Sequence, residues 1–284
     1  MGVGALNLNE LVAKVDDLPS LPLVVTQVLR LTDDPEATPE DLNKVITTDQ
    51  NLTARVLRLA NSAYYGFARR IGTVTEAVIL LGFNTIRNLV MAASVSHILE
   101  REVTGYELAR GELWHHSLTA AMAARLLARE IRYRAHEQAF IAGLLHDIGK
   151  VVLSLYVSGE FQEIIRRVQE ENIPFMAAEA EVLGFHHAQV GGLVAEKWNL
   201  PRELVEAVSF HHHPGQAQVD PRLTTITHAA DAVSLMLGMG VGVDGLLYPL
   251  DAGCLEASGL QPSHLEKVMA AVGDSLGDSE AMWG

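Results

Sequence analysis

Apolar residues along this chain recur mainly at spacings of three and four, the period of a helix buried on one face, and strand-like alternation is scarce. In TPEDLNKVITTD, Thr38 precedes Pro39 in the first helical position, and Asp41 follows three residues after the threonine. That is a capping-box pattern, and Leu42, Val45 and Ile46 then share a face. In DQNLTARVLRLANSAYYG, Leu52, Val56, Leu59, Ala60 and Ala63 form the apolar side opposite Arg55 and Arg58, with Gly66 as the stop. TVTEAVILLGFNTIRNLVMAASVSHILE reads as two helices, the first ended by Gly82 and the second capped by Asn84.

The same period predicts helices in HHSLTAAMAARLLARE, EQAFIAGLLHD, FQEIIRRVQEEN, PFMAAEAEVLG, HAQVGGLVAEKWN, PRELVEAVSFHHH and PRLTTITHAADAVSLMLG. Proline opens each of the last two, in the first turn. The predicted fold is all-α, a helical bundle. A charged stretch with Gly105 and Gly111, EREVTGYELARGE, suggests a division into an N-terminal helical part (1–104) and a second helical part (105–240). The remainder, 241–284, belongs to a glycine-rich irregular run that starts near Gly238, followed by a short C-terminal helix opened by a Ser263–Glu266 capping box.

Charge narrows the partners. Lys and Arg total 21 against 35 Asp and Glu in 284 residues, a net charge of -14. An acidic chain lacks the basic surface that non-specific binding to nucleic acid or anionic membrane needs. Arg55, Arg58, Arg69, Arg70 and Arg87 are the residues a nucleic-acid reading would use, but scattered arginines on helices usually form solvated faces. The single cysteine, Cys254, excludes an internal disulfide and a cysteine-rich zinc site. The N-terminal stretch MGVGALNLNELVAKVDD has neither the basic start nor the apolar core of a secretory signal, and Ala5 and Leu6 do not fit a myristoylation motif. A cytoplasmic location is the expectation.

Histidine changes the picture more. Nine of the twelve histidines lie between His115 and His213, mostly at the ends of predicted helices, as WHH, HD, FHH and FHHHP plus His136. A bundle brings such ends together, and imidazole with carboxylate suits divalent first-row metals. The run LLHDIGK sets His146 beside Asp147. Glu112 stands four residues before His116, on one helical face, and is a possible extra ligand. Asp231 falls among small apolar residues in mid-helix, where an ionised carboxylate is costly unless paired or metal-bound. His228 shares that face.

Bland roles remain open. His115 and His116 can be solvated at a helix start, one of His186 and His187 can be a cap, and three consecutive histidines cannot all face one way. His211 and His212 fit a site better than His213, which abuts Pro214. His97, His136 and His264 have no supporting neighbours.

Taken in order, these motifs resemble the HD superfamily of metal-dependent phosphohydrolases, and more closely its HDOD branch. LPSLPLVVTQVLRLTDDPEATPEDLNKVITTDQNLTARVLRLANSAYYG and TVTEAVILLGFNTIRNLVMAAS look like the amino-terminal half of HDOD modules. LWHHSLTAAMAARLLA, AFIAGLLHDIGKVVL, GFHHAQVGGLVAEKWNLP and VEAVSFHHHP look like the second. The resemblance implies metal ligands at His116, His146, Asp147, His187, His211, His212 and Asp231. It places Lys150 near a substrate phosphate and matches Glu112 to the extra carboxylate of some HD-GYP phosphodiesterases. It further implies one or two divalent ions, from among iron, manganese, zinc and nickel.

After the paired histidines the chain reads HHHPGQAQVDPRL, without the Gly-Tyr-Pro signature that contacts cyclic diguanylate, so hydrolysis of that molecule is not expected. HDOD proteins resemble signalling output modules. A signal-transduction role is therefore expected, through a signalling protein partner or a small phosphorylated ligand. A phosphohydrolase using Asp147 and Lys150 is the alternative.

Overall fold

The computed structural model describes Leu8 and residues 21–67, 69–157, 159–243 and 249–277. Its regular structure is helical throughout, apart from one isolated antiparallel bridge, Val103 to Leu108, among the described residues. Two compact units form: one comprises Ile98–Met269, the other 21–97 with 270–277.

The smaller unit is built on α1 (Leu23–Asp33), α2 (Pro39–Ile46), α3 (Gln50–Ala60), α4 (Val74–Leu81) and most of α5 (Phe83–Leu99). Thr38 and Asp41 form the expected capping box, with Pro39 next to the cap. Val28, Leu42, Ile46, Val56 and Ile86 meet in its core without exposure. Two predicted boundaries move. The third helix ends at Ala60 and the chain continues as a single 3-10 turn, Ala63–Tyr65, before Gly66. Asn84 is not a cap, because α5 already begins at Phe83, next to the Gly82 that ends α4 with φ 81°.

The larger unit holds α6 (Glu112–Glu130), α7 (His136–Leu145), α8 (Ile148–Tyr156), α9 (Phe161–Glu171), α10 (Phe175–Leu183), α11 (His187–Lys197), α12 (Arg202–Phe210), α13 (Pro221–Met236) and α14 (Ala252–Ser258), and it contains the start of α15 (Pro262–Gly277). Alanine and glycine let its central helices approach closely: a Cβ on Gly143 of α7 would lie 2.7 Å from the Ala120 carbonyl oxygen of α6. Helix α13 packs on α6 and α7, α12 packs on α11, α13 and α7, and α11 packs on α8. The C-terminal helix starts at Pro262, so Ser263 lies inside it rather than at its cap. The Gln261 N–H instead donates to His264 Nδ1 at 3.2 Å.

Among the described residues, His136–Tyr156 is the one stretch long and apolar enough to cross a membrane. It is broken where α7 meets α8, and 83% of its apolar window is buried in the unit, as in a core helix. The N-terminal stretch considered above for signals and lipidation lies outside the described residues, as do 244–248 of the glycine-rich run.

Candidate metal centre

The break between α7 and α8 is the structural origin of the centre. Helix α7 ends at Leu145, His146 remains near helical geometry, and Asp147 at φ -101° ψ 9° opens α8, its carbonyl accepting from the Lys150 N–H. Gly149 follows because α11 passes directly over it: a Cβ there would sit 2.0 Å from the His187 carbonyl oxygen and 2.6 Å from the Gly191 nitrogen. That close approach sets His187, the first residue of α11, opposite Asp147. His116 comes from α6, His211 and His212 from the residues just after α12, and Asp231 from α13.

These side chains converge in two groups that share Asp147. On one side, His116 Nε2 lies 3.1 Å from His146 Nε2, 3.2 Å from Asp231 Oδ1 and 3.3 Å from Asp147 Oδ2. On the other, Asp147 Oδ1 lies 3.5 Å from His187 Nε2 and 3.7 Å from His211 Nε2, and His187 Nε2 is 2.9 Å from His212 Nε2. The donor atoms of His116, His146 and Asp231 lie within 4.8 Å of one another, as do those of Asp147, His187, His211 and His212. His116, His146, Asp147, His187, His211 and Asp231 are buried, none more than 5% exposed.

The far side of four rings fixes which nitrogen faces the centre. His116 Nδ1 pairs with the Met239 carbonyl at 3.0 Å, His146 Nδ1 with Gly143 at 2.8 Å, His211 Nδ1 with Val208 at 2.8 Å, and His187 Nδ1 with the Glu179 carboxylate at 2.7 Å. Carbonyl and carboxylate oxygens only accept, so in each neutral ring Nδ1 carries the proton and Nε2 offers a lone pair inward. Among the described residues, Asp147 Oδ1 and His211 Nε2 have no hydrogen-bond partner although both are buried. Inward lone pairs and orphaned carboxylate oxygen, packed this closely, repel unless a cation lies among them. The donor set therefore fits one or two divalent ions with mixed nitrogen and oxygen preference.

Proton equilibria tell the same story. Burial alone would lower His146, but Asp147 and Asp231 outweigh it and push it up to about 10. His116 is likewise raised against burial by Asp147 and Asp231. Both carboxylates, despite burial, lie well below the usual range, Asp147 through His146 and Lys150 and Asp231 through His116 and His146. Burial drives His211 and His212 well down, reinforced by neighbouring histidines. One group thus attracts positive charge, whereas His211 and His212 of the other are held neutral.

Lys150 is buried, with Nζ 2.7 Å from Asp147 Oδ2 and 5.5 Å from the centre of the Tyr106 ring. Glu112 is not brought in: it is exposed, and its carboxylate accepts from the Ala109 N–H at the start of α6. His186 is the cap of α11, in a capping box with Gln189, which leaves His187 for the centre. His228 is diverted too, its Nδ1 on the His211 carbonyl and its Nε2 on the Asp251 N–H. His97 and His213 are exposed.

Two participants escape the histidine pattern. Glu179 of α10 is fully buried, accepts from both the backbone N–H and Nδ1 of His187, and takes the Tyr106 hydroxyl on its other oxygen. A signal existed for it: Glu179 lies four residues after Phe175 and four before Leu183, a charge on the apolar stripe of its helix. Tyr106, in a stretch that reads as a boundary, carried no such signal.

The model of the HDOD domain matches residues 18–214, and the chain belongs to the HDOD domain family. Asp231 lies beyond that match. An HDOD domain protein of unknown function from Geobacter sulfurreducens shares 28% identity and a TM-score of 0.76, over 94% of this chain and 96% of that one. A Shewanella amazonensis SB2B protein provisionally named a phosphohydrolase shares 26% identity and a TM-score of 0.74, over 96% and 97%. Among curated proteins, an uncharacterized protein of Treponema pallidum (strain Nichols) is 27% identical over 79% of this chain and 44% of its own length. The chain spans less than half the length of the curated relatives it matches.

Proposed function

We propose that this chain is a regulatory HDOD module that retains an HD-type divalent metal centre and acts by binding a signalling protein or a small phosphorylated ligand. The observation that carries this reading is closure. The donors of both groups are almost wholly buried, and Lys150 lies against Asp147, so the centre resembles a clamp joining helices more than an open reaction chamber. His116, His146, Asp147, His187, His211, His212 and Asp231 would hold the metal. Because these donors come from five helical segments, metal binding would contribute to folding stability.

A second reading has its own support. Asp147 presents one oxygen to each group, an arrangement suited to two ions, and Lys150 supplies a buried cation beside it. When bound, such metal lowers the pKa of coordinated water and offsets phosphate charge. In that reading Asp147 fixes the spacing of the two groups, and the Lys150 ammonium turns from Asp147 to a phosphate oxygen. The Shewanella protein's provisional name agrees with this chemistry.

One experiment separates the two. Untagged protein and an Asp147→Ala variant are analysed for bound metal and assayed on a panel of phosphomonoesters, phosphodiesters and cyclic nucleotides. The regulatory reading expects bound metal in the wild type, its loss in the variant, and no turnover in either. Turnover that Asp147→Ala abolishes would establish the hydrolase instead, and wild-type protein that takes up no metal would defeat both.

A further inference from the structure

The two donor groups are unequally supplied with negative charge. His116 and His146 have Asp231 as a carboxylate of their own beside the shared Asp147. His187, His211 and His212 share the other oxygen of Asp147, and Asp231 approaches them through Oδ2 at the longer distance of 3.9 Å from His212 Nδ1. A divalent ion in the second group would rest on three imidazoles and one oxygen of a shared carboxylate, with Asp231 only at the edge of the group.

What stands behind the rings reverses this inequality. His116, His146 and His211 direct Nδ1 to neutral backbone carbonyls. His187 directs its Nδ1 to a carboxylate, Glu179 Oε2, which also accepts the His187 backbone N–H at 3.1 Å. The Tyr106 hydroxyl donates to Glu179 Oε1, and the Tyr106 ring stands edge-on to the His187 ring at 6.1 Å. An anion on the far nitrogen of an imidazole fixes its orientation and makes the near nitrogen a stronger donor.

We propose that Glu179 is a positioning residue that supplies, through the His187 ring, the charge the second donor group lacks, and that occupancy of that group depends on it. The inference rests on the reading that the centre holds metal, and goes beyond it by assigning each group its own source of charge.

Glu179→Gln is a fitting test because glutamine can keep the hydrogen bonds. Its oxygen can accept from His187, and its amide can donate to the Tyr106 oxygen, so only the charge is removed. Full-length wild type and variant are equilibrated with buffered free Mn²⁺, the bound ions are counted by elemental analysis, and affinities are read by chelator competition. Circular dichroism of the metal-free proteins serves as the control for folding. Wild type is expected to bind two ions and Glu179→Gln one, with affinity for the other weakened about 10–100-fold. Glu179→Asp, which keeps the charge, should recover much of the loss.

Tyr106→Phe removes the hydroxyl but leaves the carboxylate on His187, so it should retain both ions. A variant Glu179→Gln that binds both ions as tightly as wild type would overturn the proposal. So would loss of the same ion in Tyr106→Phe, since anchoring and not charge would then be responsible; this arm decides even if Glu179→Gln fails to fold. A wild-type protein that binds no metal would instead remove the reading beneath it.

Discussion

His228 shows how a residue of the right type at the right spacing can still serve a different purpose. It lies one helical turn before Asp231, on the same face of α13, and is buried. Its Nδ1 meets the His211 carbonyl at 2.8 Å and its Nε2 accepts the Asp251 N–H at 3.1 Å, so neither nitrogen is left for a metal. The ring holds the backbone of a donor histidine in place. His228→Ala should therefore retain bound metal while lowering stability by about 1–3 kcal/mol, the usual cost of leaving buried hydrogen-bonding groups unmatched. Elemental analysis and thermal melts check this, and metal loss without a change in melting temperature would make His228 a ligand. The contrast marks what a sequence can carry at this scale. Histidines and aspartates of the centre stand out by type and order, and a buried aspartate in α13 demands a partner. Which nitrogen faces inward does not stand out, because that depends on acceptors such as the Met239 and Val208 carbonyls, which every residue possesses.

At the scale of elements, the helical period and the caps were readable because they are local. Thr38 and Asp41 lie within one turn of each other, and their capping box forms as the pattern requires. Boundaries shifted where a neighbouring turn or a different local hydrogen bond competed, as at Phe83 and Pro262. The packing of α11 on α8 was not readable at all. It depends on Gly149, whose missing Cβ makes room for the backbone of a helix about forty residues further along the chain. Side chains of Gly143 and Gly149 are absent for similar reasons, but at Gly149 the close approach also sets the separation of Asp147 and His187. Gly149→Ala would press a methyl group into the His187 carbonyl and the Gly191 nitrogen, both backbone atoms that cannot swing aside. Overpacking of this kind typically costs about 1–3 kcal/mol and occasionally more. We expect Gly149→Ala to fall at or above the upper end in denaturant unfolding, and to lower metal content as well. A variant with wild-type stability would mean that the two helices separate more easily than their contact implies.

Over the whole molecule, the division of labour between the two units sets where metal should be felt. Every donor belongs to the unit formed by Ile98–Met269, whereas the smaller unit has its own apolar core around Leu42, Ile46 and Val56. The donors are drawn from α6, the α7–α8 junction, α11, the end of α12 and α13, elements that already pack on one another and bury apolar side chains. A bound ion would thus reinforce an existing core, unlike a small zinc domain that is unfolded without its metal. Ligand linkage gives the scale: an ion present at about a hundred times its dissociation constant adds about 2.7 kcal/mol to the stability of the state that binds it. Without the ion, no cation ties these segments to one another through Asp147, and their local opening becomes less costly. Hydrogen exchange followed by mass spectrometry can locate the effect. Chelation should speed exchange in peptides covering 112–120, 143–151, 187–194 and 208–231, and leave those of α1 to α4 near their original rates. A uniform rise across both units would show that the metal stabilises the chain globally, and no rise anywhere would show that the helices hold the donors in place unaided.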